Sequence, residues 1–247
     1  MFFKKEKQNR ENVVNFDIEK FINMHDYKVT EKDLMPYDYL LDKLLIKNEI
    51  TMINENNGAS LIIANTLLKN GKIKKVIYLD THNHSTLLKI RELHLFKESH
   101  GDNLIYLYTD GSRTHKKFLE ELSKSQNVGL EDVLIILDRV DDFGGRKNQY
   151  GLEPIFIILD SLKNKGATVL VNFNNQGIHN EYYKYAVNVF GYKYDSLNQV
   201  AYFVPKRSLV NENLCSFLFD KENKTLVEHE RTEVISRELR QELAKVS

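Results

Sequence analysis

The chain has 247 residues, 42% of them apolar and 28% charged, a balance that supports one large domain with a full core and leaves little room for two. Lysine plus arginine equals aspartate plus glutamate, 35 against 35, so no global positive field draws the protein to nucleic acid, and any such binding has to come from a local patch. Cys215 is the single cysteine, which excludes an internal disulfide and a cysteine-rich zinc site and suits a reducing cytoplasm; no apolar segment follows the charged N-terminus and no stretch approaches ~18 uninterrupted apolar residues, so neither secretion nor a membrane span is expected.

Residues 1–12 are charged and read as a loose arm, followed by a short helix around Ile18–Met24 and a connection through Pro36. An α/β rhythm begins at Glu49. Ile50–Ile53 reads as a short buried strand, and Leu61, Ile62, Ile63, Leu67 and Leu68 lie on a helix that stops at Gly71. Val76–Leu79 is the next strand, with a helix from about Ser85 to Phe96 behind it. Leu104–Tyr108 is a third strand, and a helix carrying Phe118 and Leu122 follows. Val133–Leu137 is five apolar residues ending in Asp138, the pattern of a central parallel strand covered on both faces. Pro154 opens a helix through Leu162 that ends near Gly166, and Thr168–Phe173 is another strand.

Beyond this point the rhythm changes. Tyr185–Tyr194, Val200–Val204 and Leu214–Asp220 read as strands with short links and are expected to be antiparallel, with a hairpin turn from Asp220 to Thr225. The tail Glu230–Val246 sets Ile235, Leu239, Leu243 and Val246 on one helical stripe opposite mixed charges, suited first to packing on its own domain and second to docking on a partner. With no internal repeat or low-complexity linker, the expected organisation is an N-terminal arm and short helix over 1–34, a core over 35–228 and an amphipathic helix over 229–247.

Strands and helices in alternation, closed by an antiparallel finish, follow the chain order of RecA-like cores. The lead-in from Met35 through Pro36 to Ile53 resembles that of the RepA-type hexameric helicases and related RecA-like ATPases. Val76–Asp80 resembles their second strand, Asp102–Tyr108 their third, Val133–Asp138 their Walker B strand, and Ala167–Asn175 the following strand that carries a polar sensor. The resemblance spans roughly residues 35–228. It implies a three-layer α/β/α sandwich with a mostly parallel central sheet and antiparallel strands near the C-terminus, with ATP and magnesium as the family's cofactors.

In the family motif Gly-x-x-x-x-Gly-Lys-Ser/Thr, glycines let backbone N–H groups curl around phosphates, lysine neutralises their charge and the hydroxyl holds magnesium. The equivalent stretch here is Ile53-Asn-Glu-Asn-Asn-Gly58-Ala59-Ser60. Gly58 and Ser60 match, Ile53 replaces the first glycine, Ala59 replaces the lysine, and the loop is a residue or two shorter when counted from Thr51. Glu55 adds negative charge where phosphates would sit. Losing the phosphate-clamping cation removes a transition-state contact of the kind that is usually the largest catalytic term. The family's water-orienting glutamate is also missing, its place taken by Asp80-Thr-His82-Asn-His84. Asp138 is retained as the magnesium-side carboxylate, or else as a strand-end cap for the loop 139–145. These losses set ATP and magnesium aside and lead to a non-hydrolysing RecA-like protein.

Other clusters bear on function. Asp80-Thr-His82-Asn-His84 also resembles the Asp-x-His-x-His opening of metal-dependent phosphoesterases, with His115, Asp138, His179 or His229 as further ligands, or else is a pair of loop histidines. Loops after the Walker-B-like strand and the next one face single-stranded DNA in RecA-like proteins. Here they bring Arg146, Lys147 and Tyr150, then Asn174, Asn175, Gln176, His179, Tyr182, Tyr183 and Lys184, cations for phosphates and rings for bases, or else tyrosines packed on the domain. Lys206 and Arg207 follow a late strand, where hexameric relatives reach into a neighbouring subunit. The reading is thus a DNA-binding or assembly subunit in replication, recombination or repair, with single-stranded DNA, its own copies or a replication or recombination protein as partners. A rebuilt ATPase or phosphoesterase around His82, His84 and Asp138 is one alternative, and a structural interaction module the other.

Overall fold

In the computed structural model, the described residues are 37–54, 58–81, 93–108, 112–126, 128–144, 149–174, 180–208 and 214–228. The expected N-terminal arm and helix, the tail helix over 229–247, Glu55 and most of the helix from Ser85 lie outside them. Eleven strands are present among the described residues: β1 (Tyr39–Leu41), β2 (Leu45–Ile46), β3 (Ile50–Asn54), β4 (Lys75–Asp80), β5 (Leu104–Tyr108), β6 (Val133–Asp138), β7 (Thr168–Phe173), β8 (Asn188–Asp195), β9 (Val200–Ser208), β10 (Cys215–Asp220) and β11 (Thr225–Glu228). Four α-helices accompany them: α1 (Ala59–Lys69), α2 (Leu93–His100), α3 (Ser112–Lys124) and α4 (Glu153–Asn164).

Nine of the strands form one sheet in the order β11-β10-β9-β8-β3-β7-β6-β4-β5. β3, β4, β5, β6, β7 and β8 run parallel, and β9, β10 and β11 follow antiparallel. β8 departs from the expectation for its segment. It pairs parallel with β3 and antiparallel only with β9, and residues up to Tyr185 form a 3-10 turn instead of a strand. A parallel neighbour requires a crossover, and that turn lies on it, with Tyr182 and Tyr185 stacked on Phe156 of α4. β1 and β2 form a small hairpin where the sequence showed only an amphipathic lead-in.

Alternation along each strand splits the apolar residues between two cores. On one face, Leu61, Ile63, Ala64 and Leu67 of α1 and Phe96 of α2 pack on Ile53, Val76, Tyr78, Leu134, Ile136 and Leu170. On the other, Leu119 of α3 and Ile155, Phe156, Leu159 and Leu162 of α4 pack on Met52, Ile77, Leu79, Ile135, Val169 and Val171. The result is three layers with helices on both faces of a mostly parallel sheet. α1 is also clamped from outside: Asn65 Nδ2 donates to the carbonyls of Asn223 (3.1 Å) and Lys224 (2.7 Å), and the Leu226 N–H donates to Thr66 Oγ1 (2.9 Å). No helix among the described residues is long and apolar enough to cross a membrane.

Candidate functional site

β3 delivers the chain into the turn before α1, at the carboxyl edge of the parallel strands, where open α/β sheets bind ligands. Gly58 caps the helix with φ 78° and ψ 21°, a left-handed conformation that a side chain would disfavour. Ala59, expected from the sequence to stand in place of the P-loop lysine, is 2% exposed. It lines a cavity of about 220 Å³ together with Ile62, Tyr192, Tyr194, Ala201, Phe219 and Leu226, so its surroundings are apolar.

Ser60 is fully buried and donates through Oγ to Asn172 Oδ1 of β7 at 2.6 Å. Asn172 Nδ2 in turn donates to Asp138 Oδ1 at 3.3 Å, and the hydroxyl of Tyr78 donates to Asp138 Oδ2 at 2.8 Å. Both carboxylate oxygens at the end of β6 thus accept from neutral donors. Asp80 at the end of β4 accepts from the hydroxyl of Tyr106, whose ring stacks on that of Tyr78 at 4.8 Å. Ser60 and Asp138 are thus joined through Asn172 at the edge where Gly58 and Ala59 open α1. Tyr78, Tyr106 and Asn172 join them without having been singled out as site residues.

The edge is tied to the loop after β6. Thr81 Oγ1 lies 3.1 Å from the Asp138 carbonyl oxygen and 3.0 Å from Asp142 Oδ2, and Asp141 accepts from the Asn174 N–H at 2.8 Å. Burial pushes the Asp141 carboxyl above its ordinary value, outweighing that hydrogen bond and the positive charge of Arg139. His115 of α3 is buried with Nε2 3.0 Å from the Asp80 carbonyl oxygen, and burial holds its pKa below the usual histidine value. A ring nitrogen facing a carbonyl carries its proton, so the structure makes His115 a donor there.

Among the described residues, no group of three or more histidine, cysteine, aspartate or glutamate side chains could hold a metal ion. His82, His84, His179 and His229 lie outside the described residues, as do Arg146, Lys147, Asn175 and the side chain of Tyr150. Of the expected nucleic-acid contacts, Tyr182 is buried against Phe156, and Tyr183 packs toward Phe173 with its hydroxyl pushed above the usual tyrosine value by burial. Lys184 remains largely exposed, 3.7 Å from Glu153 and over the Tyr185 ring. Lys206 and Arg207 lie on β9. The Lys206 side chain runs across Gly191, where an added Cβ would meet Lys206 Cε at 3.3 Å, and burial lowers its pKa.

No family model matches the chain, and no curated protein matches it in sequence. Solved structures do match. A KaiC-like protein from the hyperthermophilic archaeon Pyrococcus horikoshii OT3 superposes with a TM-score of 0.51 at 9% identity, over 76% of this chain and 94% of that one. The RadB recombinase superposes with a TM-score of 0.52 at 15% identity, over 76% of this chain and 96% of that one. At such identities the likeness speaks to fold alone. The fold is a RecA-like α/β fold, with a mostly parallel sheet and antiparallel strands toward the C-terminus.

Proposed function

We propose that this chain is a RecA-like protein that does not hydrolyse ATP and acts as a DNA-binding or assembly subunit in replication, recombination or repair. One observation carries the first half: where this fold's phosphate-binding turn requires a lysine, the chain has Ala59, buried against apolar side chains. Backbone N–H groups at a helix N-terminus attract an anion, but a triphosphate in transfer needs a cation to absorb developing charge. Ser60, the hydroxyl that would meet magnesium, is directed at Asn172.

The DNA half is supported by fold likeness to a recombinase and by the composition of the loops after β6 and β7, which leave the sheet at the same edge. In sequence those segments carry Arg146, Lys147, Tyr150 and Asn175, two cations, a ring and an amide, and Lys184 is an exposed cation. On this reading Lys206 and Arg207 belong to a subunit edge, in a homo-oligomer or in a complex with a replication or recombination protein.

ATP turnover measured with and without single-stranded DNA tests the first half. The expected result is no turnover; turnover lost in Asp138→Ala ends the reading. For the second half, a gel shift at low salt is expected to show binding that weakens when Arg146 and Lys147 are replaced by alanine. Absence of binding, or binding unchanged by that replacement, removes DNA from the function.

A further inference from the structure

Among the described residues, helices cover the antiparallel part of the sheet on one face only. Toward α1, Ala201 and Phe203 of β9, Cys215 and Phe217 of β10 and Leu226 of β11 belong to the core that α1 and α2 close. The core under α3 and α4 reaches β8 through Val189 and takes in no described residue of β9, β10 or β11. Alternation nevertheless puts Val200, Tyr202 and Val204 of β9, Leu218 of β10 and Val227 of β11 on that second face. Val200 pairs with Leu218 and Leu218 with Val227, so these three form one row across the strands. Along the row, exposure climbs from 3% at Val200 to 39% at Leu218 and 48% at Val227. A continuous apolar row running out into solvent is the kind of surface that a further layer covers.

We propose that residues 229–247 of the same chain supply this layer, as an amphipathic helix laid along β9–β11 with its apolar stripe on Leu218 and Val227. The segment follows β11 directly, and Val227, two residues before it, already faces the open side. Ile235, Leu239, Leu243 and Val246 stand at spacings of four, four and three, which sets them on one helical stripe with charges of both signs opposite. From Ile235 to Val246 a helix rises about 16 Å, close to the ~14 Å that separates Val200 from Val204 along β9. A helix is ~10 Å across, so one astride β10 reaches both β9 and β11 at strand spacings of ~4.8 Å. Attachment to the edge strand holds the segment beside its seat at a high effective concentration, which favours it over a second copy or a separate partner. The seat is on the face opposite the Ala59 cavity and does not depend on the reading of the nucleotide site.

The test uses the full chain with Leu239 replaced by the photo-crosslinker benzoylphenylalanine, and maps the products by mass spectrometry after separation by size. Crosslinks within one chain to the peptides that carry Leu218 and Val227 are expected. Crosslinks between two chains would give the seat to a second copy and overturn the proposal, as would crosslinks confined to any other surface or none at all. Urea unfolding supplies the second measurement, on Leu218→Ser, Leu239→Ser and the two combined. Each single variant is expected to unfold at lower urea than wild type, and the pair to lose clearly less than the two losses added together, because each change empties the same contact. Losses that simply add, or a Leu239→Ser protein with the wild-type midpoint, would overturn the docking.

Discussion

Placing a lysine in the turn by Ala59→Lys is expected to destabilise the fold without conferring nucleotide binding. Ala59 is 2% exposed and faces a cavity of about 220 Å³ walled by Ile62, Tyr192, Tyr194, Ala201, Phe219 and Leu226. Among these walls only the two tyrosine hydroxyls could receive an ammonium group. Full burial of a lysine in apolar surroundings shifts its pKa by ~3–5 units, and at ~1.4 kcal/mol per unit this is a penalty of ~4–7 kcal/mol. The cavity is partly open to solvent, so the long side chain can carry its charge outward, and about half of that penalty, ~2–3 kcal/mol, is expected to remain. Ala59→Met is the neutral control of similar length. Its added groups gain ~2 kcal/mol from burial and lose ~1–2 kcal/mol of side-chain entropy, so it is expected to be close to wild type. Equilibrium urea unfolding of the three proteins gives the stabilities, and fluorescence titration with an ATP analogue and magnesium gives the binding. An Ala59→Lys protein as stable as wild type that binds the analogue tightly would refute the reasoning, because the turn would then be a working cradle short of one side chain.

Three further outcomes follow from the geometry. Asn65→Ala removes two donations to the Asn223 and Lys224 carbonyls and leaves His100 without its 2.7 Å partner, and is expected to cost ~2–3 kcal/mol in urea unfolding; a loss below half a kcal/mol would mean the β10–β11 hairpin holds α1 by apolar packing alone. Asp132 bridges Lys47 and Lys74 at 2.8 Å each, and the hydrogen bonds from Lys47 and then Lys74 lower its pKa to about 2. Its contribution is therefore present above the ordinary aspartate value and lost as pH falls from 3.8 toward 2; the stability difference between wild type and Asp132→Asn, roughly 1 kcal/mol for surface pairs, is expected to vanish over that interval. His115 is held below 6.5 by burial, which outweighs its contacts with Asp80, so the unfolded chain takes up the proton first and stability falls as pH drops below 6.5. His100 shifts the same way, through burial and the nearby Lys69. His115→Gln is expected to flatten the decline in unfolding free energy between pH 7 and 5, and an identical slope in wild type and variant would remove His115 from the account.

The parallel half of the fold was legible because burial on both faces writes itself into composition. Val133–Leu137 and Val169–Val171 are apolar runs, and both lie on strands of the parallel half of the sheet. Pro154 stands in the first turn of α4, and Gly166 follows that helix with φ 97°. Asp220 and Thr225 pair across the turn they were expected to bracket. The link to β8 was illegible for a definite reason. Tyrosines favour strands as single residues, so Tyr185–Tyr194 reads as extended from its beginning. Yet Tyr182 and Tyr185 are spent on stacking with Phe156, and the turn they form carries the chain across to the far side of β3. The short links after β8 and β9 were read as antiparallel connections and pair so, whereas the longer link into β8 is a crossover that only tertiary pairing reveals.

At the site, the legible residues were those whose chemistry is local. Gly58, Ala59 and Ser60 are consecutive and invite comparison with a phosphate-binding turn, and Asp138 ends an apolar run. Tyr78 and Tyr106 gave no such signal, because a tyrosine inside a strand reads as core, and by burial Tyr78 is core. Their role arises from register: β4 pairs with both β5 and β6, which sets Tyr78 beside Tyr106 and Asp80 beside Asp138. The one available clue was spacing, since Tyr78 precedes Asp80 by two residues and so shares its face. A chain with phenylalanine at both tyrosine positions keeps the stacked rings and loses both phenol donations to Asp138 and Asp80, and is expected to unfold at lower urea than wild type; an unchanged midpoint would mean that the stacking alone matters to the fold.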